Sequence, residues 1–322
     1  MRDVVEKRFG LKGASAHTLE AIGQEYKITR ERVRQIEADA LRHLVKPEFT
    51  AEAEPIFRKL EEHLDNHGGV MAEKHLLETT ADKRHHPHIT FLLEVGNPFK
   101  RLSETGEYRA RWTTKPEAAE QAESILEEVI RDLERKKEPV PRKELEEIIS
   151  SHAKEITGAA PSPQTVEAYL ATSNLVQPNP YNEYGLVSWH TISPRGIKDK
   201  AYLVLVKSGR PLHFRDVASE INKAGWNSRK AHPQTVHNEL IKDSRFVLVG
   251  RGLYALREWG YEPGVVRDVL VSVLRQAGHP LAKGEIIEKV LEKRFVKEPT
   301  ILLNLQNKSL FRRTQEGRYT LV

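Results

Sequence analysis

Thr29, Arg30, Glu31, Arg32, Arg34, Gln35 and Arg42 form one dense polar run in a chain of 322 residues. Read as a helix opening at Thr29, the run turns Arg30, Glu31, Arg34 and Gln35 to the outer face of its first turns. Arginine and glutamine each present two hydrogen-bonding atoms in one plane, and glutamate accepts. Such side chains match the edges of stacked bases when a helix N-terminus enters a major groove. Arg/Glu alternation also makes an ordinary charged solvent face, so the chemistry depends on what positions the helix. A second set lies downstream: Gln234, His237, Asn238 and Lys242 at near-helical spacing, Arg251 between two glycines, and Arg312, Arg313 and Arg318 near the end.

The elements that must hold the first run can be read from its flanks. Thr18 is a good N-cap, and Leu19, Ile22 and Tyr26 share one helical face. Gly23 leaves room for a second helix to cross closely. Thr29 caps that second helix, whose buried stripe is Val33, Ile36, Ala40 and Leu44. The two helices and the turn between them make a helix-turn-helix.

This stretch resembles region 4 of the sigma-70 family, the part that recognises the promoter −35 element. Arg8 to Leu11, the His17-Thr18-Leu19-Glu20 start and the run from Thr29 to Ala38 carry the likeness, over about residues 3–46. The resemblance implies that Arg30, Glu31, Arg34 and Gln35 read base edges and that Arg32 and Arg42 touch phosphates. It also implies RNA polymerase core as a partner. Nothing further along resembles the sigma segment that melts and holds the −10 element. The chain opens almost directly on Arg2-Asp3-Val4-Val5, so the preceding helix of region 4 is expected to be missing, through a truncated N-terminus or an altered polymerase-flap contact.

Turn signals at Lys46-Pro47, Thr113 to Pro116, Ser193 to Gly196 and Tyr261 to Gly264 divide the rest. The expected domains are 1–50, 51–115, 116–195, 196–262 and 263–322. The last four read as diverged copies of one pattern. Each has two helices, a Pro plus a β-branched residue opening a third helix, and a hairpin with a Gly turn. The openings are Pro87-His88-Ile89, Pro163 to Val166, Pro233 to Val236 and Pro299 to Ile301. Three helices and a two-stranded wing make a winged helix. Residues 201–259, through Arg210 to Ala218, Gln234 to Leu240 and Arg245 to Leu256, resemble the HARE-type helix-turn-helix. That module is shared by the RNA polymerase delta subunit and several chromatin or restriction-linked proteins. In the winged pattern the third helix would expose Gln234, His237, Asn238 and Lys242, and the wing would carry Arg251 to a phosphate or minor groove. Arg318, with Arg312 and Arg313, would do the same at the last wing.

Composition agrees with an all-α chain bearing small β wings. Hydrophobic residues are 39%, charged residues 30%, and cysteine is absent, which excludes disulfides and thiolate metal sites. No run approaches the roughly 20 apolar residues of a membrane span. The opening residues are charged, so no secretory signal is expected, and the chain reads as cytoplasmic and nucleoid-associated in a bacterium. Net charge is +2 over 1–50, −7 over 51–195, and +5 over each of 196–262 and 263–322. The acidic middle should repel a phosphate backbone, which favours protein contact or spacing there, while both ends tolerate or attract it. His63 and His67 are a permitted i, i+4 zinc pair in a stretch that also holds His75, His85, His86 and His88. No cysteine or matching carboxylate motif joins them, so no metal is expected. No phosphate loop or nucleophile triad stands out, so no cofactor, small-molecule substrate or catalysis is expected. The reading is a sequence-specific binder of double-stranded DNA acting in transcription initiation. Its rivals are a delta-like polymerase accessory whose winged helices bind protein, and an enzyme-linked specificity module.

Overall fold

The computed structural model describes residues 1–13, 15–226, 230–261 and 264–322, so the turn signal at Tyr261 to Gly264 lies partly outside the described residues, at Glu262 and Pro263. The described residues are mostly helical and fall into two compact units. The first holds Met1–Pro178 and Asn182–Ser188, and the second holds Asn179–Tyr181 and Trp189–Val322. No described helix is long and apolar enough to cross a membrane.

Unit 1 opens with α1 (Arg2–Phe9), α2 (Leu19–Tyr26), α3 (Arg30–Leu44) and a single turn, α4 (Pro47–Thr50). Val4, Ile22 and Val33 are the core of this head, one from each of the first three helices. The stripe of α3 continues past it, because Leu44 and neighbouring Leu41 pack into the next core. Tyr26 departs from the expected buried face and is 39% exposed. Its hydroxyl donates to Asp3 and Lys7 stands 4.8 Å over its ring, so the phenol lies along the polar edge of α1.

Then comes α5 (Glu54–Asn66), β1 (Val70–Ala72), α6 (Glu73–Thr80), α7 (His86–Val95), β2 (Lys100–Leu102) and β3 (Arg111–Thr113). The order recurs in α8 (Pro116–Lys136), β4 (Val140–Pro141), α9 (Arg142–Thr157), α10 (Pro163–Thr172), β5 (Val176–Pro178) and β6 (Glu183–Leu186). In unit 2 it recurs as α11 (Ile197–Ser208), β7 (Leu212–His213), α12 (Phe214–Lys223), α13 (Pro233–Lys242), β8 (Phe246–Leu248) and β9 (Leu253–Leu256). The last copy is α14 (Val266–Ala277), α15 (Lys283–Lys293), α16 (Glu298–Leu305), β10 (Phe311–Arg313) and β11 (Tyr319–Leu321).

Each third helix starts with proline in its first turn, where a missing N–H costs nothing. Val166, Val236 and Ile301 follow it and are buried. The wing has one more strand than the sequence suggested. Three sheets run in the order β1-β3-β2, β4-β6-β5 and β7-β9-β8, with the return strand central. In the fourth copy a Leu281–Tyr319 bridge takes the place of that strand. These first strands are two or three residues long, too short for an alternating pattern, and their Pro and Gly neighbours read as turns.

Candidate nucleic-acid interface

Both caps of the helix-turn-helix form as their residue types require. The Thr18 hydroxyl accepts the Ala21 N–H at 3.1 Å, and the Thr29 hydroxyl accepts the Arg32 N–H at 3.2 Å. Between the helices Lys27 takes a left-handed conformation (φ 56°), and the Ile28 N–H returns to the Gly23 carbonyl at 2.9 Å. A Cβ at Gly23 would stand 2.8 Å from the Ile28 oxygen, so glycine there lets the turn backbone fold onto α2.

That turn leaves Arg30, Glu31, Arg32, Arg34 and Gln35 exposed together on the first turns of α3. Arg34 donates to both Glu31 oxygens, Nη2 at 2.7 Å and Nε at 2.9 Å. The pair holds the Glu31 carboxyl below its ordinary range and the guanidinium above its own, so both stay charged. Arg32 donates to Gln35 at 3.3 Å, and Arg42, also exposed, pairs with Asp39 at 2.9 Å. These intrahelical contacts fix rotamers before any ligand arrives, which lowers the ordering cost of binding.

The rest of the head is braced by the first winged repeat. Phe9 meets Phe91 of α7 edge-on at 5.3 Å, and His88 Nε2 donates to the Leu11 carbonyl at 3.0 Å. The third helix of that repeat is thereby covered. The third helix of the next repeat, α10, is covered too. Its Ala168 lies in the preceding repeat's core, and a Cβ at Gly68 would clash with Thr165 at 2.5 Å. Arg109 donates from its backbone to the Thr172 carbonyl and from its guanidinium to the Ala171 carbonyl, both at 2.8 Å. Sequence reasoning assigned these repeats to protein contact or spacing by charge alone. It missed that their own neighbours occupy the two helices, because such contacts leave no local pattern.

In unit 2 the outer face of α13 is open. Gln234, Asn238 and Lys242 are exposed, with Gln234 donating to Asn238 at 3.4 Å. His237 corrects the sequence expectation of an exposed reader. Its ring is half-buried, 4.6 Å from that of Phe214, with the Tyr254 hydroxyl 3.1 Å from Nδ1. An aromatic neighbour on each side makes it a packing residue between α13, α12 and the return strand. Arg251 is exposed at the wing tip. The neighbouring Gly252 has φ +70°, and a Cβ there would lie 2.5 Å from the His213 ring. Arg312 and Arg318 are exposed on the last wing, whereas Arg313 folds back onto the Gly317 carbonyl at 3.2 Å.

The histidines of the first repeat are spent on each other and on the fold. His63 and His67 stack at 4.3 Å, and His67 Nδ1 donates to the His63 carbonyl at 2.7 Å. His63 Nε2 donates to the Thr79 hydroxyl at 2.9 Å, and burial pushes His63 and His75 below the ordinary imidazole range. Among the described residues no group of three or more ligating side chains could hold a metal ion.

A helix-turn-helix head followed by winged-helix repeats defines a chain of the DNA-binding helix-turn-helix class. Residues 1–46 match the family model of sigma-70 region 4. Residues 195–259 match that of the HARE-type helix-turn-helix domain, described as an ASXL and restriction endonuclease helix-turn-helix. The chain is 47% identical over 62 residues to the RNA polymerase sigma factor SigA of Clostridium acetobutylicum, covering 19% of this chain and 15% of that protein. It is 56% identical over 46 residues to SigA of Nostoc sp., covering 14% and 12%. SigA of Lactococcus lactis subsp. lactis is 51% identical over 45 residues, covering 14% and 12%. The chain thus spans only 12% to 15% of the length of these relatives. The matches support a DNA-binding role in transcription, and the matched families are not enzymes.

Proposed function

We propose that this chain acts in transcription initiation, with the first turns of α3 reading a −35-like promoter element and RNA polymerase core as a partner. The observation that carries the reading is the joint exposure of Arg30, Glu31, Arg34 and Gln35 on a capped helix N-terminus. In this reading Arg32 and Arg42 touch flanking phosphates. Gln234, Asn238, Arg251 and Arg318 add contacts from unit 2, and His237 supports α13 without touching a base. The working division of the chain is 1–50, 51–115, 116–195, 196–262 and 263–322.

The test is selection of bound sequences from random duplexes with wild type and Arg34→Ala. A lost bidentate contact costs about 1–3 kcal/mol and relaxes preference at one base pair. An unchanged preference in the variant would remove Arg34 from base reading. A second reading, a polymerase accessory whose winged helices bind protein, draws on the net −7 of residues 51–195 and on the covered helices α7 and α10. It predicts that binding selection returns no preferred sequence at all.

A further inference from the structure

Within unit 2, the wing of the third winged repeat and the α15–α16 connection of the fourth enclose a groove of about 850 Å³. Three large apolar side chains line it while standing half in solvent: Leu248 at 45% exposure, Val265 at 54% and Phe295 at 56%. Apolar surface gathered in one concavity marks a binding site far more often than the same residues scattered singly. Its charged lining is cationic, with Arg251, Arg294 and Lys297.

Arg294 gives the groove its specificity. Only 7% of it is exposed, and its Nη1 is buried with no hydrogen-bond partner among the described residues. Burial pushes the guanidinium below its ordinary range, and the charge of Asp268 offsets only part of that. Asp268 is engaged elsewhere: one oxygen accepts the Val265 N–H at 3.1 Å and the other lies 3.5 Å from Arg267. A buried guanidinium lacking an acceptor is costly, and a carboxylate delivered from outside removes that cost.

We infer that this groove is a docking site for an acidic, apolar segment of a partner protein, with its apolar side chains against Leu248, Val265 and Phe295 and a carboxylate on Arg294. Charge complementarity selects the occupant, since residues 196–322 carry a net +10. A nucleic acid would bring phosphates but no apolar side chains, and DNA-facing surfaces are polar and wet. β8 is an edge strand and ends in the groove at Leu248, so an extended segment can run beside it.

The experiment selects short random peptides displayed on phage against the full-length protein, then measures fluorescence anisotropy of the best enriched peptide. Enriched sequences should combine Asp or Glu with Leu, Ile or Phe. Arg294→Met and Phe295→Ser should each weaken the peptide at least about tenfold, the loss expected for a central anchor, while duplex-DNA binding by α3 is unchanged. Arg294→Met should melt no lower than wild type, because it removes an unpaired buried charge. Failure to enrich acidic–apolar peptides, or wild-type affinity in both variants, would overturn the proposal. So would displacement of the peptide by random-sequence duplex DNA, which would make the groove a nucleic-acid site. A lower melting temperature for Arg294→Met would also overturn it, by showing that the fold itself uses this guanidinium.

Discussion

Asp199 is 3% exposed yet charged, and it survives there because Arg245 reaches it at 2.9 Å while also gripping Asp243 at 2.7 Å. The guanidinium also sits 5.2 Å from the centre of the Tyr202 ring and 5.7 Å from that of Phe246. This cluster ties the start of α11 to the turn between α13 and β8, and so sets the angle of the helix that carries Gln234 and Asn238. Asp199→Ala should destabilise the third winged repeat by about 2–3 kcal/mol, less than a fully buried pair because Arg245 keeps some solvent. Urea unfolding of the full chain would measure it, and a variant as stable as wild type would mean the cluster is ornamental. None of this was visible in the sequence. Asp199 and Arg245 are 46 residues apart, and neither belongs to a repeating pattern. The head was legible at the same scale, because Thr18, Thr29, Gly23 and the Val33 stripe act on residues no more than a few positions away.

At the scale of elements, every third helix was legible from its opening proline and the apolar residue behind it, but which of those helices face solvent was not. That depends on which neighbouring repeat lies against them, as Phe91 and Ala168 show. His237 failed for a related reason: a period-3.6 count puts it near the outer face, and only the return strand carrying Tyr254 turns it inward. Two predictions belong here. If α7 braces the head, Phe91→Ser should cost about 2–4 kcal/mol and speed amide exchange in α1 and the second half of α3. Unchanged exchange there would show that the head stands alone. The histidine stack gives the other. His63 and His75 are held below their ordinary range by burial, so the unfolded chain takes up protons at a higher pH than the folded one. Their contribution is complete above about pH 6.5 and is lost as pH falls through that value. The wild-type melting temperature should therefore drop more between about pH 7 and about pH 5 than that of the His63→Gln, His75→Gln double variant. Equal drops would assign the acid sensitivity to the carboxylates.

For the whole molecule, charge and coverage point the same way. Unit 1 carries one exposed reading helix on a body whose winged helices cover each other, while unit 2 leaves α13 and two arginine-bearing wings open. Sequence-specific contact is therefore expected from α3, with phosphate contact added by unit 2. Each phosphate neutralised releases counterions and contributes roughly −0.9 to the slope of log affinity against log salt. Arg251→Ala with Arg318→Ala should make that slope shallower by about 1–2 without changing the preferred sequence, because neither arginine approaches a base edge in this reading. Arg34→Ala should do the opposite, altering preference with little effect on the slope. Linkage matters as well, since two weak contacts on one chain strengthen binding only if both reach the same duplex. Salt titrations of the three proteins on one long duplex and one just covering the selected site separate the cases. A slope that depends on duplex length in the wild type and not in the double variant would place unit 2 on flanking DNA. Identical slopes throughout would leave α3 as the chain's one DNA contact and turn the open face of unit 2 toward protein.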